Sequence, residues 1–264
     1  MSNTAEVRLG ELDAALDAQQ VTPQLAEELF AVVDVLDQQP ALRRALTDPG
    51  LEPDARGAVI DALFGQRISP ATVQVLREAA GKRWGSASGL AAALERQGVR
   101  AVFINAQQAS TLEQVEDELF RFSRVVDADG ALRAALADRS ASLTARRDLV
   151  SDLLTGKADA ATVYLARRAV AARTRSFELT LQGYLTLAAA QRDRAVARVV
   201  VASPLTGEQY ERLTGVLGRQ LGRAVSLQVV IDPTIVGGVR VTVGDEIIDG
   251  TVSGRLEHAR RQLS

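Results

Sequence analysis

Apolar residues recur along most of this chain at intervals of three and four, the spacing that lines one face of an α-helix, and give way to strict alternation only near its end. Leu9, Leu12 and Leu16 predict a short amphipathic helix over residues 5–19. Thr22-Pro23 then opens a longer one carrying Leu25, Leu29, Val32 and Leu36, with proline placed in the first turn, where its missing N–H costs nothing. Further helices are expected at 40–48, 53–64 and 70–83, divided by Asp48-Pro49-Gly50 and by the stretch from Gly65 to Pro70. Ser110 and Glu113 have capping-box spacing ahead of a helix bearing Leu112, Val115, Leu119, Phe122 and Val126, and the last long helix is expected over about 176–193.

From Ala195 the period changes. Ala195–Val201 is an apolar run suited to a buried strand, and Thr206 with Gln209 forms a second capping box before a helix presenting Tyr210, Leu213, Leu217 and Leu221 and ending at Gly222. Val225, Leu227, Val229 and Ile231 alternate as the buried face of a second strand. Asp232-Pro233 ends it, and the Gly237-Gly238 pair lets the chain turn and re-enter the sheet as VRVTV. Gly244-Asp245 reads as a two-residue hairpin loop, which sets Val243 opposite Glu246, Val241 opposite Ile248 and Arg240 opposite Asp249, a cross-strand ion pair worth roughly 0.2 to 1 kcal/mol. Thr251 is placed to cap a final helix with Val252, Leu256, Ala259 and Leu263 on one stripe and Arg255, Arg260 and Arg261 on the wet side.

The helical part repeats itself. ALRRALTD at 41–48 and ALRAALAD at 131–138 match at six of eight positions with an offset of 90, and the offset persists. Glu28-Leu29-Phe30 recurs as Glu118-Leu119-Phe120, Ala55-Arg56 as Ala145-Arg146, Leu63 as Leu153 and Thr72-Val73 as Thr162-Val163. The fold class expected is therefore α+β: two tandem helical bundles made by duplication, 1–106 and 107–193, followed by a small C-terminal α/β domain, 194–264, with a mixed sheet and two helices.

Composition narrows the function more by exclusion than by pointing. With 264 residues and 47% apolar content the chain can build real cores, and a net charge of −2 gives no field to draw it to nucleic acid or anionic lipid. There is no cysteine to serve as nucleophile, disulfide or metal ligand, and His258 is the lone histidine. The N-terminus lacks the apolar segment of a secretory signal, and no stretch approaches the ~18 apolar residues of a membrane span. Gly156-Lys157 lacks the other residues of a phosphate-binding loop; Gly215, Gly218 and Gly222 fall within or at the end of a helix, away from any strand-to-helix turn. Asp127, Asp129 and Gly130 start like a calcium loop, but the glycine comes two positions early and the closing position is Asp138, so a helix-terminating turn is expected. Asp232, Asp245 and Asp249 each have a role in turns or strand pairing. Arg167, Arg168, Arg173 and Arg175 form a basic cluster with few aromatics nearby, better suited to solvent or an acidic partner than to nucleic acid. Neither a catalytic group nor a cofactor or metal site is expected.

The C-terminal signature supplies what composition cannot. The run from Asp232 to Leu263, with Asp232-Pro233, Gly237-Gly238, Gly244, Asp249-Gly250 and Arg255, resembles the end of the δ subunit of bacterial F-type ATP synthases, the relative of the mitochondrial oligomycin-sensitivity-conferring protein. One helical bundle precedes that domain in the family pattern, so the second copy resembles the standard one and the first an addition of the extended, actinobacterial type. The resemblance implies a non-catalytic stator subunit, peripheral on the cytoplasmic face of the cell membrane. Its helical domain grips N-terminal helices of α subunits, and its C-terminal domain holds the end of the b-subunit stalk. The residues expected at the groove for the first partner are Leu119, Phe122, Val126, Val163 and Leu165; those for the second are Arg255, Arg260 and Arg261. A free-standing helical-repeat adaptor for another complex would explain the duplication but not this signature.

Overall fold

The computed structural model describes residues 3–172, 176–193, 195–222, 225–235, 237–243 and 246–249. In chain order the helices are α1 (Asn3–Asp17), α2 (Pro23–Gln38), α3 (Pro40–Ala45), α4 (Pro53–Phe64), α5 (Pro70–Gly81), α6 (Ala87–Gln108), α7 (Leu112–Ala128), α8 (Gly130–Ala137), α9 (Leu143–Leu154), α10 (Ala160–Ala169) and α11 (Phe177–Arg192). They form one compact unit, Met1–Arg192. A single cluster of buried apolar side chains runs through it from Leu12 to Ala188, so the copies expected at 1–106 and 107–193 share one core.

The helix starts obey the sequence offset: Pro40 and Gly130, Pro53 and Leu143, Pro70 and Ala160, Ala87 and Phe177 are each 90 residues apart. Shifted by 90, α1 falls on residues 93–107, inside α6. Helix α6 is thus the last helix of the first copy and the first helix of the second, and it packs against α1, α2, α3 and α5 on one side of the duplication and α7, α10 and α11 on the other. No single apolar stripe marks it because partners surround it: every residue from Gln97 to Ile104 is buried, more than two full turns.

The α6–α7 corner differs from the expected capping box. Ser110 stands at φ 62°, Thr111 precedes α7 without a side-chain cap, and the amides of Thr111 and Ser110 bond back to the carbonyls of Ala106 (2.8 Å) and Gln107 (3.1 Å). Those two bonds make a Schellman ending for α6 with serine at the left-handed position, which removes Ser110 from any role at the start of α7. Among the described residues, Thr22 accepts from Leu25 N–H at the start of α2, and Thr206 and Gln209 bond reciprocally as the expected capping box.

The second unit, Asp193–Ser264, holds β1 (Ala195–Val201), α12 (Gly207–Leu221), β2 (Val225–Ile231), β3 (Val239–Val243) and β4 (Glu246–Asp249). The sheet order is β2-β1-β3-β4, parallel between β1 and β2 and antiparallel elsewhere, a mixed sheet as expected. Ala197, Val199 and Val201 of central β1 are buried at the period of two that a strand requires. The hairpin register is the one predicted, with Arg240 paired to Asp249, Val241 to Ile248 and Val243 to Glu246. Helix α12 packs on β2 and ends at Gly222 in the left-handed conformation (φ 66°). Strand β2 departs from expectation: Val225 and Leu227 are buried, but Val229 and Ile231 are 37% and 52% exposed. Among the described residues β2 pairs only with β1, and Val230 is also 37% exposed, so at this end of the edge strand side chains of both faces are exposed. The expected final helix, 251–264, lies outside the described residues.

Candidate docking surfaces

The duplicated sequence pairs turn out to be one structural device used twice. Glu28 on α2 accepts hydrogen bonds from the Ser69 amide (3.0 Å), the Ser69 hydroxyl (2.7 Å) and the Thr72 hydroxyl (2.6 Å), all at the start of α5, while Gln24 donates to its other side (2.8 Å). Ninety residues on, Glu118 of α7 accepts from the Asp159 amide (2.8 Å) and the Thr162 hydroxyl (2.7 Å) at the start of α10, while Gln114 of α7 donates to its other side (2.8 Å). A carboxylate against a helix N-terminus meets unpaired N–H groups and the positive end of the helix dipole. Partial burial raises the cost of ionising both glutamates, yet these donors outweigh it and hold both carboxyls below the usual glutamate range.

Where the copies meet, the centre is Arg168 of α10. Its guanidinium, 8% exposed, donates to Glu95 of α6 (2.6–3.0 Å) and to Asp34 of α2 (2.7 Å), and lies 4.8 Å above the Phe30 ring. Burial opposes the charge, but the two carboxylates more than compensate and raise the basicity of the group. Tyr184 of α11 donates to Glu95 (3.2 Å); burial and the adjacent carboxylate push its own ionisation well up, so it stays a donor. Phe30 also meets Tyr164 of α10 at 5.5 Å between ring centroids and lies against Gly98 of α6, where a Cβ would come within 2.7 Å of the ring. For Arg168, the acidic partners are thus two carboxylates of this same chain, Asp34 and Glu95. Arg167 is exposed, and Arg173 and Arg175 lie outside the described residues.

The residues expected to line a groove divide sharply. Leu119, Val126 and Leu165 are fully enclosed and Phe122 is 5% exposed, so they shape the bundle from its core; Val163 alone is half-buried. Arg255, Arg260 and Arg261, with Gly244 and Gly250, lie outside the described residues. In the C-terminal motif, Asp232 turns the chain: its carboxylate accepts from the amide (2.9 Å) and hydroxyl (2.6 Å) of Thr234, and its amide bonds Val201 O (2.8 Å). Those donors hold its pKa below the usual aspartate range. Pro233 sits in the turn, and Gly237 and Gly238 have φ of 83° and 87°, which a side chain would strain. Asp249 is in register with Arg240. Asp129 caps α8 through the amides of Ala131 and Leu132, the turn role expected in place of calcium binding. Among the described residues no three His, Cys, Asp or Glu side chains gather as a metal site, and no helix is long and apolar enough to cross a membrane.

These surfaces can be compared with known proteins. The family model described as the ATP synthase delta (OSCP) subunit matches residues 94–263, more than half of the chain, beginning in the part of α6 that the second copy uses. Curated relatives match almost end to end. The ATP synthase subunit delta of Cutibacterium acnes is 43% identical over 253 residues, covering 96% of each chain. That of Kineococcus radiotolerans is 45% identical over 239 residues, covering 90% of this chain and 87% of the relative, and that of Streptomyces avermitilis 43% over 255 residues, covering 96% and 93%. Matched by that family model over more than half of its length and by these relatives almost end to end, this chain belongs to the ATP synthase delta (OSCP) subunit family.

Proposed function

We propose that this chain, a non-catalytic peripheral-stalk subunit of an F-type ATP synthase, holds N-terminal helices of the α subunits with its helical unit and the C-terminal end of the b subunit with its C-terminal unit, at the cytoplasmic face of the cell membrane. Arg255, Arg260 and Arg261 meet the b subunit in this reading. Val163 contributes at the surface for α, while Leu119, Phe122, Val126 and Leu165 hold the shape of the body behind it.

The observation that carries this reading is the construction of the helical unit. A stator must transmit torque without yielding, and a flexible linker between two bundles would absorb it. Here no linker exists: α6 belongs to both copies, and Arg168 ties α10 to α2 and α6 across the junction. Two attachments on one chain each raise the effective concentration of the other, so avidity exceeds either affinity by roughly 10² to 10⁴.

Stripping the catalytic head from membranes tests it. The chain is expected to leave with the ATPase subunits, and cells lacking it are expected to keep head ATPase activity while losing ATP synthesis driven by the proton gradient. Cross-linkers at 255, 260 or 261 are expected to capture the b subunit. Elution independent of the ATPase subunits, or normal coupling without the chain, would refute the assignment.

A further inference from the structure

The contact between the two copies is head-to-tail. A face of α2 and α6 receives helix α10, and the patches on its two sides are unlike, so the contact does not close on itself and the equivalent receiving face of the second copy has no third copy to cover it. The offset of 90 places that face on α7 and α11. Its centre is Phe120, counterpart of Phe30. Phe30 is 2% exposed; Phe120 is 53% exposed.

The difference has a cause in α11. Phe30 lies against Gly98, where a Cβ would collide with its ring, and the counterpart of Gly98 is Ala188, which is fully buried. An alanine at this position carries the Cβ that would collide with a ring seated as Phe30 is, and Phe120 stands exposed. The charges have also changed. Asp34 and Glu95, the carboxylates that hold Arg168, have Arg124 and half-buried Leu185 as counterparts. Arg124 stays exposed at one turn from Phe120, with only Asp127 at 3.7 Å as a weak, solvated ion pair among the described side chains. A cation-receiving face has become one with a projecting ring, an apolar neighbour and an arginine.

We infer that the α7–α11 face around Phe120 and Arg124 docks an amphipathic helix of a partner subunit in the synthase, a helix with small apolar residues over Phe120 and a carboxylate where α10 carries Arg168. The inference rests on the proposed stalk role and adds to it a surface and a partner chemistry. The internal precedent fixes the occupant: the one face of this kind that is covered in this chain is covered by a helix, and the exchange of its two acidic positions for arginine and leucine reverses the charge that helix must bring.

Synthase particles depleted of this chain provide the assay, titrated with the full-length wild type and with Phe120→Glu, Arg124→Glu and the double variant. Binding is expected to weaken at least tenfold in the double variant with its melting temperature unchanged, since both side chains are exposed. Benzoylphenylalanine at 120 is expected to cross-link an acidic helical segment of one partner subunit, whereas the same probe at 125, exposed but off this face, does not. Affinity within twofold of wild type, or equal cross-linking from 120 and 125, overturns the docking face while leaving the stalk role intact. Failure of the wild type itself to rebind the particles overturns the stalk role, and this inference with it.

Discussion

Replacing Arg168 by methionine keeps most of the side-chain volume and removes the charge, leaving Glu95 and Asp34 without their shared cation. Losing one member of a buried ion pair typically costs ~3–5 kcal/mol, because the remaining charge stays desolvated. Glu95 and Asp34 are not equally enclosed: their side chains are 25% and 40% exposed. Solvent therefore compensates most of the Asp34 share, which falls in the ~0–1 kcal/mol range of exposed pairs. The stacking on Phe30 adds ~1 kcal/mol. The net expectation for Arg168→Met is about 2–4 kcal/mol, a shift of roughly 5–15 °C in melting temperature for a unit of this size. Urea unfolding followed by circular dichroism and by Trp84 fluorescence measures it. The double variant Arg168→Met/Glu95→Gln removes the stranded charge but keeps an acceptor for the Tyr184 hydroxyl, so it is expected to recover about half of the loss. A single-variant cost under about 0.5 kcal/mol, or a double variant no better than the single, would refute the role given to this joint. Because α6 serves both copies, unfolding of the helical unit should remain one transition; two well-separated steps would refute the shared core.

Three further outcomes follow from the same geometry. The carboxyl of Glu118 has a folded-state pKa below its unfolded value, so its contribution is present above the ordinary glutamate range and lost as pH falls through the folded value; the stability difference between wild type and Glu118→Gln should be full at pH 7 and shrink as the pH falls below the ordinary glutamate range, and a difference independent of pH would count against the hydrogen bonds from Asp159 and Thr162 as its source. Truncation to 87–264, which keeps α6, should leave the second copy helical and cooperatively folded, whereas truncation to 107–264 removes α6 and should abolish cooperative unfolding by circular dichroism; equal behaviour of the two would contradict the shared helix. Ser110→Gly should stabilise by about 0.5–1 kcal/mol, since a left-handed conformation costs a side chain of this kind more than glycine, and a loss of stability in urea titration would show that the serine has another task.

What the sequence made legible was whatever repeats or alternates. The strands, the β3–β4 register and the Thr206 cap rest on local chemistry that any window of ten or so residues contains, and the offset of 90 needs only matched letters. Helix α6 escaped because helical periodicity detects a boundary between core and water, and a helix surrounded by others has no such boundary across Gln97–Ile104. Ser110 misled because a hydroxyl three residues before a glutamate has the same spacing whether it starts one helix or ends another. The repeated spacing of Glu28 with Thr72 and Glu118 with Thr162 is visible as matched letters; that each pair is a hydrogen bond needs the fold. Arg168 was visible as charge, but its partners stand 73 and 134 residues earlier, and no local pattern connects them. The expected groove residues lie on an amphipathic stripe, and a stripe marks what is buried without saying whether its own bundle or a partner does the burying.

Duplication of a helical bundle ordinarily yields two bodies on a tether, and a tethered pair transmits tension but not bending or twist. Overlapping the copies by one helix changes the mechanics. Any rotation of one copy against the other must either break backbone hydrogen bonds inside α6 or shear its fully buried middle past both sets of neighbours, and close-packed interiors resist such displacement. The Arg168 cluster adds a second fixed point away from the α6 axis, which is what rotation about that helix would have to rupture. A single shared helix would permit swivel, and a single ion-pair cluster between separate bundles would permit rocking; together they leave neither. The residues that look least functional by the criteria of catalysis, a buried helix without a stripe and an arginine without a substrate, are therefore the ones on which a torque-bearing role most directly depends.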